Sequence, residues 1–90
     1  MPIERISKKD FFVREYYKKN GNLEVEVPYV NGKVHGKKRF FFEDGSLNFE
    51  QEYVNGRLHG SWKQWRRDGS LEYVINFNNG ERGARVDYAV

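Results

Sequence analysis

Ninety residues with 32% charged, 38% hydrophobic and 17% aromatic side chains and no cysteine describe one small domain without disulfide or thiolate-metal chemistry. The balance is too aromatic for a disordered polyampholyte and too polar for a thick core. Sixteen Lys and Arg against thirteen Asp and Glu leave a net charge of +3, which by itself does not argue for a nucleic-acid partner.

In chain order, residues 1–10 read as an N-terminal arm and 11–90 as a repeat-bearing β domain. Met1-Pro2-Ile3-Glu4-Arg5 lacks the apolar core of a signal peptide, and no apolar run approaches the ~18–20 residues that span a bilayer. A cytoplasmic protein with no transmembrane segment is expected. Asn-Gly or Asp-Gly pairs then start at residues 20, 31, 44, 55, 68 and 79. Both dipeptides suit two-residue type I′ turns, which need φ > 0 at both central positions. The stretches between them predict strands at 11–18, 23–30, 36–42, 47–54, 60–66, 71–78 and 84–89, each too short and too glycine-bounded for a helix. The expected fold is all-β: a single-layer antiparallel meander of about seven strands, twisted or coiled.

A shift of 24 lays Tyr29-Val30-Asn31-Gly32-Lys33-Val34-His35-Gly36 on Tyr53-Val54-Asn55-Gly56-Arg57-Leu58-His59-Gly60, with six of eight positions identical. The same shift superposes Asp44-Gly45-Ser46-Leu47 on Asp68-Gly69-Ser70-Leu71 and Asn55-Gly56 on Asn79-Gly80. Three hairpin repeats therefore run from about Phe12 to about Gly83. The outer copies depart from the pattern. Phe12 stands where the later copies have Gly36 and Gly60, and Gly83 arrives one residue early because the third copy has no counterpart of His35 and His59.

Each turn predicts a register. Around Asp44-Gly45, Phe42 faces Leu47, Phe40 faces Phe49 and Lys38 faces Gln51, while Arg39 faces Glu50 and Lys37 faces Glu52 on the other side. Around Asp68-Gly69, Gln64 meets Tyr73 and Trp62 meets Ile75; around Asn20-Gly21, Tyr16 meets Val25 and Phe12 meets Tyr29. One face then collects most of the large apolar side chains, including Phe12, Tyr16, Tyr29, Phe40, Phe42, Phe49, Tyr53, Trp62, Tyr73 and Phe77. The other carries the charges with a sparser aromatic row of Tyr17, Phe41 and Trp65. The meander consumes nearly the whole chain, so no helix or second sheet remains to cover the apolar face. Coiling, face-to-face pairing of two copies or a partner must bury it.

No catalytic constellation emerges. His35 and His59 occupy equivalent turn-exit positions and read as turn residues, and four zinc ligands cannot be assembled around them. Ser46 and Ser70 follow turn glycines with no His-carboxylate pair at hand. No cofactor is expected. Cations cluster at Trp62-Lys63-Gln64-Trp65-Arg66-Arg67, yet alternation divides them between the faces, and Glu24, Glu50, Glu52 and Glu72 sit among them. The edge stretches 11–18 and 84–89 leave unpaired backbone groups, the second being little protected beyond two charges.

The pattern Tyr-x-Asn-Gly-x-x-His-Gly, an aromatic strand and Asp-Gly-x-Leu resembles the bacterial variant of the MORN repeat, a membrane occupation and recognition nexus motif. The residues that carry the resemblance run from Tyr29 to Gly36, Tyr53 to Gly60, Asp68 to Leu71 and Phe77 to Gly80, with Trp62 and Trp65. The resemblance implies a single-layer sheet of stacked hairpins with no enzymatic role. Among similar proteins it implies antitoxin or immunity components in bacteria, and scaffolds, dimerisation modules and phospholipid contacts in eukaryotes.

The expected function is a non-catalytic protein-binding module, an antitoxin-type or inhibitory cap on a partner such as a toxin or enzyme. Contacts are expected through Tyr29, Phe40, Phe49, Tyr53, Trp62, Trp65, Tyr73 and Phe77, or through an edge strand. The alternatives are a homodimeric scaffold, or an anion-binding module for nucleic acid or acidic lipid carried by Arg39, Lys63, Arg66 and Arg67.

Overall fold

The computed structural model describes residues 10–89. Its strands are β1 (Asp10–Tyr16), β2 (Leu23–Val30), β3 (Lys33–Val34), β4 (Gly36–Phe41), β5 (Leu47–Val54), β6 (Arg57–Trp65), β7 (Leu71–Asn78) and β8 (Glu81–Asp87). Neighbours in sequence are neighbours in space, in the order β1-β2-β4-β5-β6-β7-β8, with the short β3 also pairing with β2. Every pairing is antiparallel, the sheet is open, and no helix occurs among the described residues. The shortest Cα extent is 13 Å, as expected of one twisted layer.

The turns explain the register. Asn31, Asn55 and Asn79 adopt φ of 52°, 48° and 50°, and the glycines after them 80°, 85° and 88°. Both central residues are thus left-handed, as type I′ requires, and asparagine tolerates this better than most side chains. Strand pairing resumes at once, at Val30 with Lys33, Val54 with Arg57 and Asn78 with Glu81. The strand expected to begin at 36 begins there, preceded by the separate two-residue β3, whereas those expected at 60 and 84 begin three residues earlier, at Arg57 and Glu81.

The Asp-Gly loops depart from the two-residue expectation. Only Gly45 (94°) and Gly69 (91°) are left-handed there. The Gly45 N–H donates to the Phe42 carbonyl (2.9 Å) and the Phe42 N–H to Ser46 (2.8 Å), closing a three-residue loop; Arg66, Gly69 and Ser70 repeat it. The Asp44 carboxylate accepts from the Ser46 amide (2.8 Å) and hydroxyl (2.6 Å), and Asp68 from those of Ser70 (2.9 and 2.6 Å). The odd residue is absorbed by a register slip, so Phe41 rather than Phe42 pairs with Leu47, and Trp65 with Leu71. Beyond the slip the expected pairs hold: Phe40 with Phe49, Lys38 with Gln51, Arg39 with Glu50, Lys37 with Glu52, Gln64 with Tyr73 and Trp62 with Ile75.

The first hairpin differs again. The Gly21 N–H donates to the Tyr17 carbonyl (2.8 Å) and the Tyr17 N–H to Asn22 (2.8 Å), so this loop holds four residues, 18–21. That extra residue displaces β1 by one position. Phe11, not Phe12, faces Tyr29, and Glu15, not Tyr16, faces Val25. Phe11 stacks on Tyr29 with centroids 5.1 Å apart, whereas Phe12 sits opposite Pro28 with the Arg14 guanidinium 4.8 Å from its ring. Phe12 thus belongs to the charged face, and Phe11 is the counterpart of Gly36 and Gly60, which face Tyr53 and Phe77.

A single layer cannot sequester much. Ile75 (5% exposed) and Glu50 (8%) are among the few buried residues, and no described side chain is completely enclosed.

Candidate functional site

Four strands contribute to one aromatic row. Phe40 of β4 stacks on Phe49 of β5 (4.2 Å, 13° between planes), Phe49 meets Trp62 of β6 (5.8 Å, 33°), and Trp62 meets Phe77 of β7 (6.1 Å, 22°). Centroid spacings close to the strand spacing and small interplanar angles mean that the rings stand upright, face to face across the sheet. The inner rings therefore present edges rather than faces to anything that approaches. A planar base or sugar has no free face to stack on at Phe49 or Trp62, whereas an apolar protein surface packs against a ridge of ring edges.

The other expected contact residues surround this row. Tyr29 stacks with Phe11 near β1. The Lys38 ammonium lies 5.4 Å from the Phe40 centroid and 5.7 Å from that of Tyr53. Burial pushes the Tyr53 phenol above its ordinary pKa. The Arg85 guanidinium covers Tyr73 at 3.8 Å. Trp65 pairs with Leu71 past the register slip and makes no ring stack among the described residues. The indole N–H of Trp62 is buried without an acceptor among the described residues. Such a donor costs about 1–3 kcal/mol, which the stacking around it must offset.

On the opposite face, charges are linked across four strands. Arg14 Nε donates to Glu26 (2.7 Å), Arg39 reaches Glu26 (3.7 Å), and Arg39 Nε donates to Glu50 (2.8 Å). Of the four cations weighed for anion binding, Arg39 is engaged in this network. Lys63 stands opposite Glu50 in the ladder. Arg66 donates to the carbonyls of Leu71 (3.1 Å) and Tyr88 (2.6 Å) and to the Ser70 hydroxyl (3.1 Å). Arg67 lies 4.7 Å over Phe42. Glu52 is folded against Gly60 and accepts from the Ser61 amide at 3.2 Å.

The histidines couple one repeat to the next. His35 Nδ1 accepts from the Asn55 amide and His59 Nδ1 from the Asn79 amide, both at 3.1 Å. Beside them the Gly56 N–H donates to the Val34 carbonyl (2.8 Å) and Gly80 to Leu58 (2.7 Å). The Asn55-Gly56 and Asn79-Gly80 turns are thus each hung from the repeat before, which gives Asn-Gly-x-x-His its physical meaning. A repeated separation of 20 residues from histidine to the next turn asparagine carried that signal in the sequence. No cluster of metal-ligating side chains occurs among the described residues.

Two features escaped sequence reasoning because they follow from the displaced register of β1. A groove of about 410 Å³ lies at the β1 end of the sheet, lined by Phe11, Phe12, Pro28, Tyr29 and His35 among others. The β1 edge itself exposes Phe11 (43%), Phe12 (51%), Val13 (40%) and Tyr16 (56%).

Comparison with known families adds one match: the family model described as MORN repeat variant covers residues 13–31, 34–55 and 58–79, more than half of the chain. No curated protein and no solved structure matches.

Proposed function

The chain belongs to the MORN repeat variant family, whose repeats serve in general as protein or membrane interaction modules, and from that premise we propose a non-catalytic module that binds a partner protein through its aromatic face. The proposed role is an antitoxin-type or inhibitory cap, with a toxin or enzyme as the capped partner. The observation that carries the reading is the upright row of Phe40, Phe49, Trp62 and Phe77 on a single-layer sheet, with no second layer over it among the described residues. Leaving large apolar side chains half wet forgoes on the order of 1 kcal/mol each, which a partner recovers on docking.

The test is capture of the partner by crosslinking, followed by reconstitution from purified components. Trp62→Ser and Tyr73→Ser are expected to weaken that complex by about tenfold or more, while raising the salt concentration leaves it largely intact. Affinity that collapses steeply with salt and ignores both substitutions would instead support anion binding through Lys63 and Arg67, the cations of that set not spent on internal oxygen acceptors. No helix among the described residues is long and apolar enough to cross a membrane.

A further inference from the structure

The two edges of the sheet are unlike. β8 interleaves Glu81, Arg82, Arg85 and Asp87, with Val86 as its one strongly exposed large apolar side chain. Charges so placed discourage strand addition. β1 is exposed along its whole length and carries four of the chain's strongly exposed apolar side chains, Phe11, Phe12, Val13 and Tyr16. Alternate backbone N–H and C=O groups of this edge point away from β2, with no strand among the described residues to receive them.

We propose that β1 pairs with β1 of a second copy, antiparallel and about a two-fold axis at Phe12, joining two sheets into one. The register follows from complementarity. Facing residues of an antiparallel pair share a side of the sheet, so the axis must pass through a residue pair if the two faces are to stay continuous. With Phe12 at the axis, Phe12 meets its own copy, Phe11 meets Val13, and Asp10 meets Arg14 at both ends. Phe11 and Val13 then extend the aromatic face beside Tyr29 and Val27, while Asp10, Phe12 and Arg14 extend the charged face beside Glu26. Moving the axis to Val13 sets Phe11 against Glu15 and Asp10 against Tyr16, and no charge pair forms. Moving it to Phe11 sets Asp10 against Phe12 and leaves Arg14 unmatched. Arg14 spends its Nε on Glu26 (2.7 Å), and its terminal nitrogens carry N–H groups for a second carboxylate.

The displaced register of β1 is what makes this edge self-complementary, because it sends Phe11 and Val13 to one face and the Phe12–Arg14 pair to the other. A ladder this short buries less than about 1,200 Å², the range of weak, exchanging dimers. This surface is separate from the aromatic row, so its test is independent of the partner reading above.

Sedimentation equilibrium over a wide concentration range is expected to show a mass rising from one copy toward two. Asp10→Arg, at the strand end and in no ion pair among the described residues, is expected to weaken the dimer by about tenfold by setting like charges together, and Asp10→Arg with Arg14→Asp to restore it. The natural chain has no cysteine, so Phe12→Cys gives a clean second readout: disulfide-linked dimers form under mild oxidation, and Val86→Cys gives none. Urea midpoints of each variant report folding separately. A mass that stays at one copy at every concentration overturns the proposal, as do open-ended oligomers from β1 to β8 pairing. A dimer abolished by Trp62→Ser but indifferent to Asp10→Arg overturns it too, since self-association would then use the aromatic face.

Discussion

Replacing Gly60 by alanine puts a methyl group into the space held by the Glu52 carboxyl, and Gly36, its counterpart one repeat earlier, supplies the control. Both glycines are left-handed, with φ of +113° and +111°. Alanine at either position meets backbone strain of about 1–2 kcal/mol, reduced by about 0.4–1 kcal/mol through the stiffer unfolded chain. The surroundings differ. At Gly60 the new Cβ lies 2.7 Å from Glu52 Cδ and 3.2 Å from Glu52 Cβ, whereas at Gly36 its nearest neighbour is Pro28 Cγ at 3.4 Å, an ordinary contact. Glu52 must swing away and release the Ser61 amide (3.2 Å), a loss of about 1–2 kcal/mol for a long hydrogen bond to a carboxylate. Gly60→Ala is therefore expected to cost about 2–3 kcal/mol and Gly36→Ala about 1 kcal/mol. In urea, with a slope near 1 kcal/mol per molar for a chain of this size, the midpoints should separate by about 1–2 M. A double-mutant cycle makes the cause specific: in a Glu52→Ala background, Gly60→Ala should cost no more than Gly36→Ala. Equal costs in the natural background, or no coupling to Glu52, would refute the reasoning.

Three further outcomes follow from contacts elsewhere in the sheet. His59→Ala removes the acceptor of the Asn79 amide, so stability should fall by about 0.5–1.5 kcal/mol and hydrogen exchange at Asn79 should accelerate while Asn55 is unchanged. The hydroxyls of Ser46 and Ser70, with their amides, hold the Asp44 and Asp68 carboxyls below the usual carboxylate range. A lowered folded-state value means that this stabilisation is complete above the unfolded-state value and is lost as pH falls through the folded one. Urea midpoints against pH should accordingly show a flatter acid limb in Ser46→Ala with Ser70→Ala; an unchanged limb counts against the assignment. Deleting Lys19 leaves a three-residue loop closed by the same Tyr17–Asn22 pair, as in the Asp-Gly loops, so NMR cross-strand contacts should still link Tyr29 to Phe11; contacts that move to Asp10 would mean that the loop keeps four residues and contradict this account.

Much of this architecture was legible because the information was local and repeated. Asn31, Asn55 and Asn79 each precede a glycine, and at these three positions the dipeptide forms the type I′ turn it favours. Pairs such as Phe40 with Phe49 and Arg39 with Glu50 followed from alternation counted outward from a turn. What stayed hidden depended on loop closure. Asp44-Gly45 and Asn20-Gly21 share the turn signature of Asn55-Gly56, yet close loops of three and four residues, because the Asp44 side chain captures Ser46 and the Gly21 amide reaches back to Tyr17. One extra residue inverts the faces of a whole strand, and this moved Phe12 out of the expected apolar set. The aromatic row was anticipated as a set of residues but not as a stack, since upright rings are a property of neighbouring strands together.

The imidazole links hold the Asn55-Gly56 and Asn79-Gly80 turns in step with the repeat before each, and the last strand offers no such link. β6 places His59, Gly60 and Ser61 between the pairs made by Leu58 and Trp62, whereas β8 has only Gly83 and Ala84 between Arg82 and Arg85. The residue missing from β8 is the acceptor that a following turn would need, and a side chain at Gly83 would come within 2.9 Å of the Asn76 carbonyl oxygen. A fourth hairpin joined after β8 would find no nitrogen to receive its turn amide. The edge at β8 thus differs from the inner strands in lacking both the imidazole and the room for a side chain beside Asn76.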